Sequence, residues 1–157
     1  MPEHYSWGYS SVHFAENDDA RNEELTGIIV DTAYRLHTRL GPGLLESVYE
    51  TVFAKMLQDR GLNVERRWSV PLEFEGLKFD EVHRVDLLVE KQVVVELKAA
   101  EALLPVHTRQ VLTYLCILDL PVGLLINFGA AKLNQGLKRV LNPHASAFTT
   151  DRLDEAG

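Results

Sequence analysis

The stretch from 82 to 99, VHRVDLLVEKQVVVELKA, constrains the fold more than any other part of the chain. It predicts two strands joined by a tight turn, because it is rich in residues typical of a buried sheet, namely Val85, Leu87, Val89, Val93, Val95 and Leu97. Side chains two apart on a strand share a face, so Arg84 lies with Asp86 and Glu96 lies with Lys98. Charges inside a sheet are costly unless they are paired or bound to metal. Two facing carboxylates beside an ammonium group therefore indicate a divalent-cation site suited to phosphate chemistry.

The register of this hairpin decides whether the two acids can meet. A two-residue turn would place Asp86 opposite Val95 and send Asp86 and Glu96 to opposite faces of the sheet. A three-residue turn at Glu90-Lys91-Gln92 places Asp86 opposite Glu96, with Cβ atoms about 5 Å apart. We predict the three-residue turn, although it contains no glycine.

The remaining elements follow from apolar periodicity and from glycine and proline positions. They are helices at about 20–40, 42–60 and 105–119, strands at 63–74, 77–89, 93–98 and 121–128, and a segment at 132–141 that fits either a strand or a short helix. Pro71 places the first strand at or near a sheet edge. The order of helix, helix, three strands, helix and strand predicts an α/β fold with a mixed sheet flanked by helices.

Length and composition fit one domain with loose ends. The 157 residues are 46% hydrophobic, which is enough for a substantial core. We expect residues 1–18 to form a flexible N-terminal arm, 19–142 to form the domain, and 143–157 to form a loose C-terminal tail.

Several classes of protein are disfavoured by composition. No apolar run reaches the roughly 18 residues of a membrane span, and the N-terminus lacks the pattern of a signal peptide. The single cysteine, Cys116, excludes an internal disulfide and suits a reducing interior, so we expect a cytoplasmic protein with no membrane partner. The net charge of −7 argues against a broad basic surface, but it allows a local basic rim around a metal site.

Three local motifs together resemble a known family. The segment Gly43-Leu44-Leu45-Glu46-Ser47-Val48-Tyr49 matches the pattern of the GxxExxY protein family. Asp86, nine intervening residues and then Glu96-Leu97-Lys98 resemble the core motif of the PD-(D/E)XK nuclease superfamily. The segment from Gln110 to Tyr114 is similar to the QxxxY motif of the nuclease domains of bacterial recombination exonucleases. The element order is also similar to the αβββαβ core of restriction-endonuclease-like folds.

This resemblance implies a nuclease site that depends on Mg²⁺ or Mn²⁺. Asp86 and Glu96 match the metal-binding acids, and Lys98 matches the lysine that helps to activate water. Glu46 matches an additional acid on a helix, which would make it a third metal ligand. The substrate-binding candidates are Gln110, Tyr114 and Arg84.

Each of these residues also has a purely structural interpretation. Glu46 could complement the dipole at the start of its helix. Glu96 with Lys98, and Asp86 with Arg84, could be simple ion pairs. The polar flank of an amphipathic helix would explain Gln110 and Tyr114 equally well. Surface or core roles are favoured for His37, His83 and His107, and packing is favoured for Cys116.

Three functional hypotheses follow. The leading one is a metal-dependent nuclease or nuclease-like phosphodiesterase that acts on nucleic acid, on DNA in preference to RNA. The second is a non-catalytic nucleic-acid-binding or regulatory module that retains the nuclease fold. The third is a dimerising interaction domain whose hairpin acids are structural. In the nuclease hypothesis, a homodimer or a protein partner would supply specificity, because no separate DNA-reading domain is apparent from the sequence.

Overall fold

A computed structural model describes residues 12–80 and 83–143, with side chains from Ala20 onward. Its elements are α1 (Val12–Leu40), α2 (Glu46–Asp59), β1 (Val64–Ser69), β2 (Leu72–Phe74), β3 (Leu77–Phe79), β4 (Arg84–Val89), β5 (Val93–Lys98), α3 (Pro105–Leu118), β6 (Val122–Asn127), a 3₁₀ turn (Leu133–Gln135) and β7 (Leu137–Leu141).

Five of the strands form one mixed sheet in the order β1-β4-β5-β6-β7. All neighbouring pairs are antiparallel except β5 and β6, which are parallel and are connected through α3. The predicted α/β fold with a mixed sheet and flanking helices is therefore confirmed, as is the restriction-endonuclease-like core. β1 is an edge strand, as Pro71 predicts.

The sheet is buried on both faces. Side chains of α1 and α2 form one core with alternate strand residues such as Val93, Val95 and Leu97. Side chains of α3 form a second core with the intervening residues, among them Val94 and Leu125. Burial on both faces explains why the central strands read as nearly continuous apolar runs.

The first helix starts earlier than its apolar pattern indicates. The predicted start at about Ala20 is wrong, because α1 begins at Val12. Residues 12–18 of the expected arm are thus helical, whereas residues 1–11 of that arm and residues 144–157 of the expected tail lie outside the described residues. Apolar periodicity marks where a helix packs on the core, and the helical backbone can extend beyond that region.

The second helix starts later than expected. Pro42 is not in its first turn, since α2 begins at Glu46. Gly41 and Gly43 have φ angles of +65° and +111°, and these left-handed conformations keep the chain in a loop up to the start of α2. The loop is held by Tyr49, whose hydroxyl donates to the carbonyl of Gly41 and accepts from the amide of Leu44.

Two of the predicted strands are each divided in the structure. The predicted strand 63–74 becomes β1 and β2, with Val70 and Pro71 between them. The predicted strand 77–89 becomes β3 and β4, and residues 81 and 82 lie outside the described part. Within the described residues, β2 and β3 pair only with each other, as a small antiparallel ribbon closed by a turn at Glu75-Gly76.

The sequence pattern of segment 132–141 fits either a strand or a short helix, and the structure contains one of each. The 3₁₀ turn comes first and is followed by the edge strand β7. None of the helices within the described residues is long and apolar enough to cross a membrane.

Candidate active site at the β4–β5 hairpin

The predicted register of the β4–β5 hairpin is confirmed. Val89 pairs with Val93, Leu88 with Val94 and Leu87 with Val95. Glu90 and Lys91 carry positive φ angles of 53° and 52°, so the turn closes without glycine at the cost of local backbone strain. The next pair of positions along the hairpin is Asp86 and Glu96.

Regular pairing ends at Asp86 and Glu96, and the two carboxylates replace the missing ladder bonds. The amide of Asp86 donates to Glu96 Oε1 at 2.9 Å, and the amide of Leu97 donates to Asp86 Oδ2 at 2.8 Å. Each acid therefore binds the backbone of the opposite strand, which holds both carboxylates in the gap between β4 and β5. Each carboxylate also retains a second oxygen that has no hydrogen-bond partner within the described part of the chain.

The irregularity extends to the strand on the other side of β4. Val85 belongs to the core beneath α3, whereas Leu87 belongs to the core beneath α1 and α2. Residues two apart on a regular strand share a face, so β4 changes orientation at Asp86. In β1, Arg67 lies across from Asp86 and has a φ of +52°, and the pairing between the two strands is interrupted at this position.

Burial and nearby negative charges raise the pKa values of both acids. Glu96 is 3% exposed, and burial raises its pKa from 4.5 to about 8, with a further contribution from the charge of Asp86. Burial also raises the pKa of Asp86 from 3.8 to about 6, and the charges of Glu46 and Glu50 add to the rise. Without a cation, the site therefore favours a protonated Glu96 at neutral pH.

Lys98 lies close enough to counteract this effect. Its positive charge lowers the pKa values of both Asp86 and Glu96, although less than burial raises them. The end of β5 that carries Lys98 is held by the buried Asn127 of β6. Asn127 Oδ1 accepts from the amide of Ala100 at 3.0 Å, and its Nδ2 donates to the carbonyl of Ala100 at 2.9 Å.

Glu46 is the first residue of α2, and its side chain is exposed. Its negative charge contributes to raising the pKa values of both Asp86 and Glu96, so the start of α2 faces the hairpin acids. The loop before α2 is fixed from behind, since Tyr49 binds this loop and stacks on Phe128 with ring centroids 5.0 Å apart. Packing of Tyr49 thereby determines where Glu46 lies.

α3 contributes Gln110 and Tyr114 to the same region. Gln110 Nε2 donates to the Tyr114 hydroxyl at 2.8 Å, which confirms that the two side chains project together. Burial raises the pKa of Tyr114, and the charge of Glu96 adds to this, so the phenol lies near the acids. Arg84 is exposed at the start of β4, two residues from Asp86.

The carboxylate oxygens of Asp86 and Glu96 suit a hard divalent cation, although they do not provide a complete set of ligands. Within residues 12–80 and 83–143, no three His, Cys, Asp or Glu side chains converge as a preformed metal-binding group. Mg²⁺ commonly takes only one or two protein carboxylates and keeps several waters. The free oxygens of Asp86 and Glu96 meet that requirement, with Glu46 as a more distant charge.

Two further residues that shape this site belong to none of the sequence motifs. Glu50 is 6% exposed and lies four residues after Glu46, so the helical spacing of two acids on α2 was an available signal. Asn127 is 1% exposed and follows an apolar strand, where a polar residue requires internal hydrogen bonds. The charge of Glu50 raises the pKa of Asp86, and the side chain of Asn127 holds the backbone just after Lys98.

Comparison with known proteins identifies one family. The family model described as the PD-(D/E)XK nuclease superfamily matches residues 23–140, which include every candidate site residue. No curated protein and no solved structure matches the chain.

Proposed function

The chain belongs to the PD-(D/E)XK nuclease superfamily, and on that premise we propose that it is a metal-dependent nuclease that hydrolyses phosphodiester bonds, with DNA as its substrate. The observation that supports this most is the mutual binding of Asp86 and Glu96 to the opposite strand at the point where β4 and β5 separate. A solvated strand face would not bring a buried Glu96 and a half-buried Asp86 together.

Asp86 and Glu96 are proposed to hold the cation. Nucleases of this superfamily generally use divalent metal ions, and we propose Mg²⁺ or Mn²⁺ because the available donors are carboxylate oxygens. A bound divalent cation supplies Lewis-acid activation of water and neutralises charge on the phosphate. Burial raises the pKa values of Asp86 and Glu96 most, and neighbouring negative charges raise them further. A cation bound beside both acids would offset the cost of ionising them. Glu46 would act at longer range or through a water.

Lys98 is proposed to act on the reacting groups. Its ammonium group lies near both acids and is partly exposed, so it can contact a phosphate that reaches the hairpin. There it can orient the attacking water and stabilise negative charge that develops in the transition state. The bonds of Asn127 to Ala100 keep this end of β5 in place.

Tyr114 and Gln110 are proposed to contact the substrate from the α3 side. Because Gln110 already donates to the Tyr114 oxygen, the phenol proton remains available to a phosphate oxygen. Arg84 is proposed as a further phosphate contact on the exposed start of β4. The loop containing Gly43 and the Tyr49 bonds that hold it support a closer relationship to the GxxExxY family, since they give that motif a structural role in orienting Glu46.

A cleavage panel tests the proposed function. The parent and Asp86→Asn would be incubated with Mg²⁺, Mn²⁺ or EDTA on single-stranded, duplex and branched DNA and on RNA of the same sequence. Asparagine preserves an oxygen acceptor for the amide of Leu97, so the variant should fold. We expect divalent-dependent cleavage of at least one DNA by the parent and none by the variant. Metal-dependent binding without cleavage would favour the non-catalytic module instead. A specific activity that rises with protein concentration would indicate that a homodimer supplies part of the site or its specificity.

A further inference from the structure

Two adjacent arginines of β1 contact one buried carboxylate next to the site. Arg66 Nε donates to Glu50 Oε1 at 3.4 Å, and Arg67 Nε lies 3.8 Å from the same oxygen. Arg66 also donates through Nη2 to the Thr51 hydroxyl at 3.1 Å. Glu50 is on α2, so the cluster bridges the edge strand of the sheet and the helix that carries Glu46.

This convergence requires an exception to strand geometry. Successive side chains on a regular strand point to opposite faces, so neighbouring arginines should diverge. Arg67 has a φ of +52°, a conformation that is strained for a residue with a side chain, and it directs both guanidinium groups to Glu50. The distortion lies across from Asp86, at the same level of the sheet as the candidate active site.

The cluster borders the acids electrostatically as well. The charge of Glu50 contributes to the raised pKa of Asp86, after the larger effect of burial and beside that of Glu46. The side chain of Glu50 is only 8% exposed, whereas those of Arg66 and Arg67 are 39% and 65% exposed. The carboxylate is therefore on the inside, next to the site, and the two cations face solvent.

The charge balance leaves capacity for an anion. Two guanidinium groups share one carboxylate, so the cluster carries a net positive charge on a protein whose overall charge is −7. Each arginine offers five N–H donors in a planar fork, and within the described residues no partner engages the terminal nitrogens of Arg67. Paired arginine forks of this kind suit phosphate oxygens.

We propose that Arg66 and Arg67 form a binding site for the phosphodiester backbone of the nucleic acid, on the β1 side of the hairpin acids. This inference rests on the proposed function for the identity of the anion. Glu50 is the positioning residue, because it holds the two guanidinium groups together beside the hairpin without contacting the substrate.

Binding in EDTA, where no divalent-dependent cleavage can occur, separates this site from catalysis. The variants are Arg66→Gln, Arg67→Gly and the double variant. Glycine accepts the positive φ of residue 67, so the backbone is preserved and the side chain alone is removed. The matched control is Arg139→Gln on β7, the opposite edge strand, where an arginine that is 40% exposed pairs with Glu23 at 2.7 Å. Labelled duplex DNA, single-stranded DNA and RNA are titrated at several salt concentrations, and each titration is repeated with Ca²⁺.

We expect each single variant to weaken binding about tenfold, the range of one charge-assisted hydrogen bond. The salt dependence should also change, because each phosphate contact contributes about 0.9 to the slope of log K against log salt for duplex DNA. The double variant should therefore have a slope shallower by about 1.8, whereas Arg139→Gln should bind like the parent with an unchanged slope.

The outcomes distinguish this inference from the proposed function. If the parent cleaves DNA and the double variant binds with the affinity and slope of the parent, the arginine site is wrong and the nuclease function stands. If binding depends on the arginines but no divalent ion supports cleavage, the site stands and the nuclease function fails. If the parent binds none of the three nucleic acids in EDTA or Ca²⁺, the arginine site is overturned. Circular dichroism and thermal melting of each variant confirm that the fold is retained.

Discussion

The change Glu96→Gln tests the central electrostatic feature of the site. Glutamine has nearly the same shape as glutamate and keeps an oxygen that can accept from the amide of Asp86, so only the charge is removed. The parent carboxyl is buried, and its pKa is raised from 4.5 to about 8 in the folded protein. Folding without a metal therefore requires Glu96 to remain protonated over much of the neutral range.

The sign of the effect follows from linkage between protonation and folding. Because the pKa is higher in the folded state, the folded protein binds more protons than the unfolded chain between the two pKa values. The contribution of Glu96 to the free energy of unfolding of the parent should be fully present below about pH 4.5 and should be lost as the pH rises towards about 8. Asp86, with a pKa raised from 3.8 to about 6, adds a decrease of the same sign at lower pH.

The magnitude is large enough to measure. One pH unit between the two pKa values corresponds to about 1.4 kcal/mol, so the interval from pH 4.5 to pH 7 costs the parent about 3 kcal/mol through Glu96. Glu96→Gln avoids this cost. We expect the variant to match the parent near pH 4.5 and to exceed its stability by about 3 kcal/mol at pH 7.

Urea unfolding in EDTA, followed by circular dichroism from pH 4.5 to pH 8, measures this difference. The control is Glu73→Gln on the exposed ribbon strand β2, which should stay within about 0.5 kcal/mol of the parent at every pH. If Glu96→Gln and the parent are equally stable at pH 7 and pH 8, Glu96 ionises normally in the folded protein. The reasoning from burial and from repulsion by Asp86 would then be refuted.

Three other changes test the site. In a thermal melt, Mg²⁺ or Mn²⁺ should raise the melting temperature of the parent more at pH 8 than at pH 5, because metal ligation requires deprotonated carboxylates. Asp86→Asn should lose most of this rise in melting temperature. Lys98→Ala should retain the metal-induced rise in melting temperature but lose cleavage, with the loss in kcat rather than in KM. If the variant cleaves at the parent's rate, Lys98 has no catalytic role. Tyr49→Phe should reduce the free energy of unfolding by about 1–3 kcal/mol in urea titrations, because the amide of Leu44 and the carbonyl of Gly41 lose a buried partner. An unchanged stability would mean that the hydroxyl does not hold the loop.

The local sequence was sufficient to predict the β4–β5 hairpin and its register. The central strands are nearly continuous apolar runs buried on both faces, so their valines and leucines do not fix the register by themselves. The charged residues decide it, because a two-residue turn would send Asp86 and Glu96 to opposite faces of the sheet. The three-residue turn was the register that placed Asp86 opposite Glu96, and the observed pairs confirm it. The turn at Glu75-Gly76 and the end of α1 before Gly41 were also predictable, because positive φ angles favour glycine at both places.

Long-range packing determined the boundaries that sequence patterns did not predict. The start of α2 depends on Tyr49, whose ring stacks on Phe128 and whose hydroxyl holds the loop before the helix. The ribbon separates from the main sheet at Val70 and Pro71, which lie between β1 and β2. Periodicity within a short window carries no information on contacts with residues that are far apart in the chain.

Which acids and which lysine share the hairpin was readable from the sequence, because their spacing follows from strand period and turn length. The environment of those residues came from packing between distant segments: the burial that raises the pKa of Glu96, the bonds of Asn127 that hold the end of β5, and the meeting of Arg66 and Arg67 at Glu50. Spacing along one strand is a local property of the backbone. Desolvation and charge interactions instead depend on which helices and strands pack around the strand.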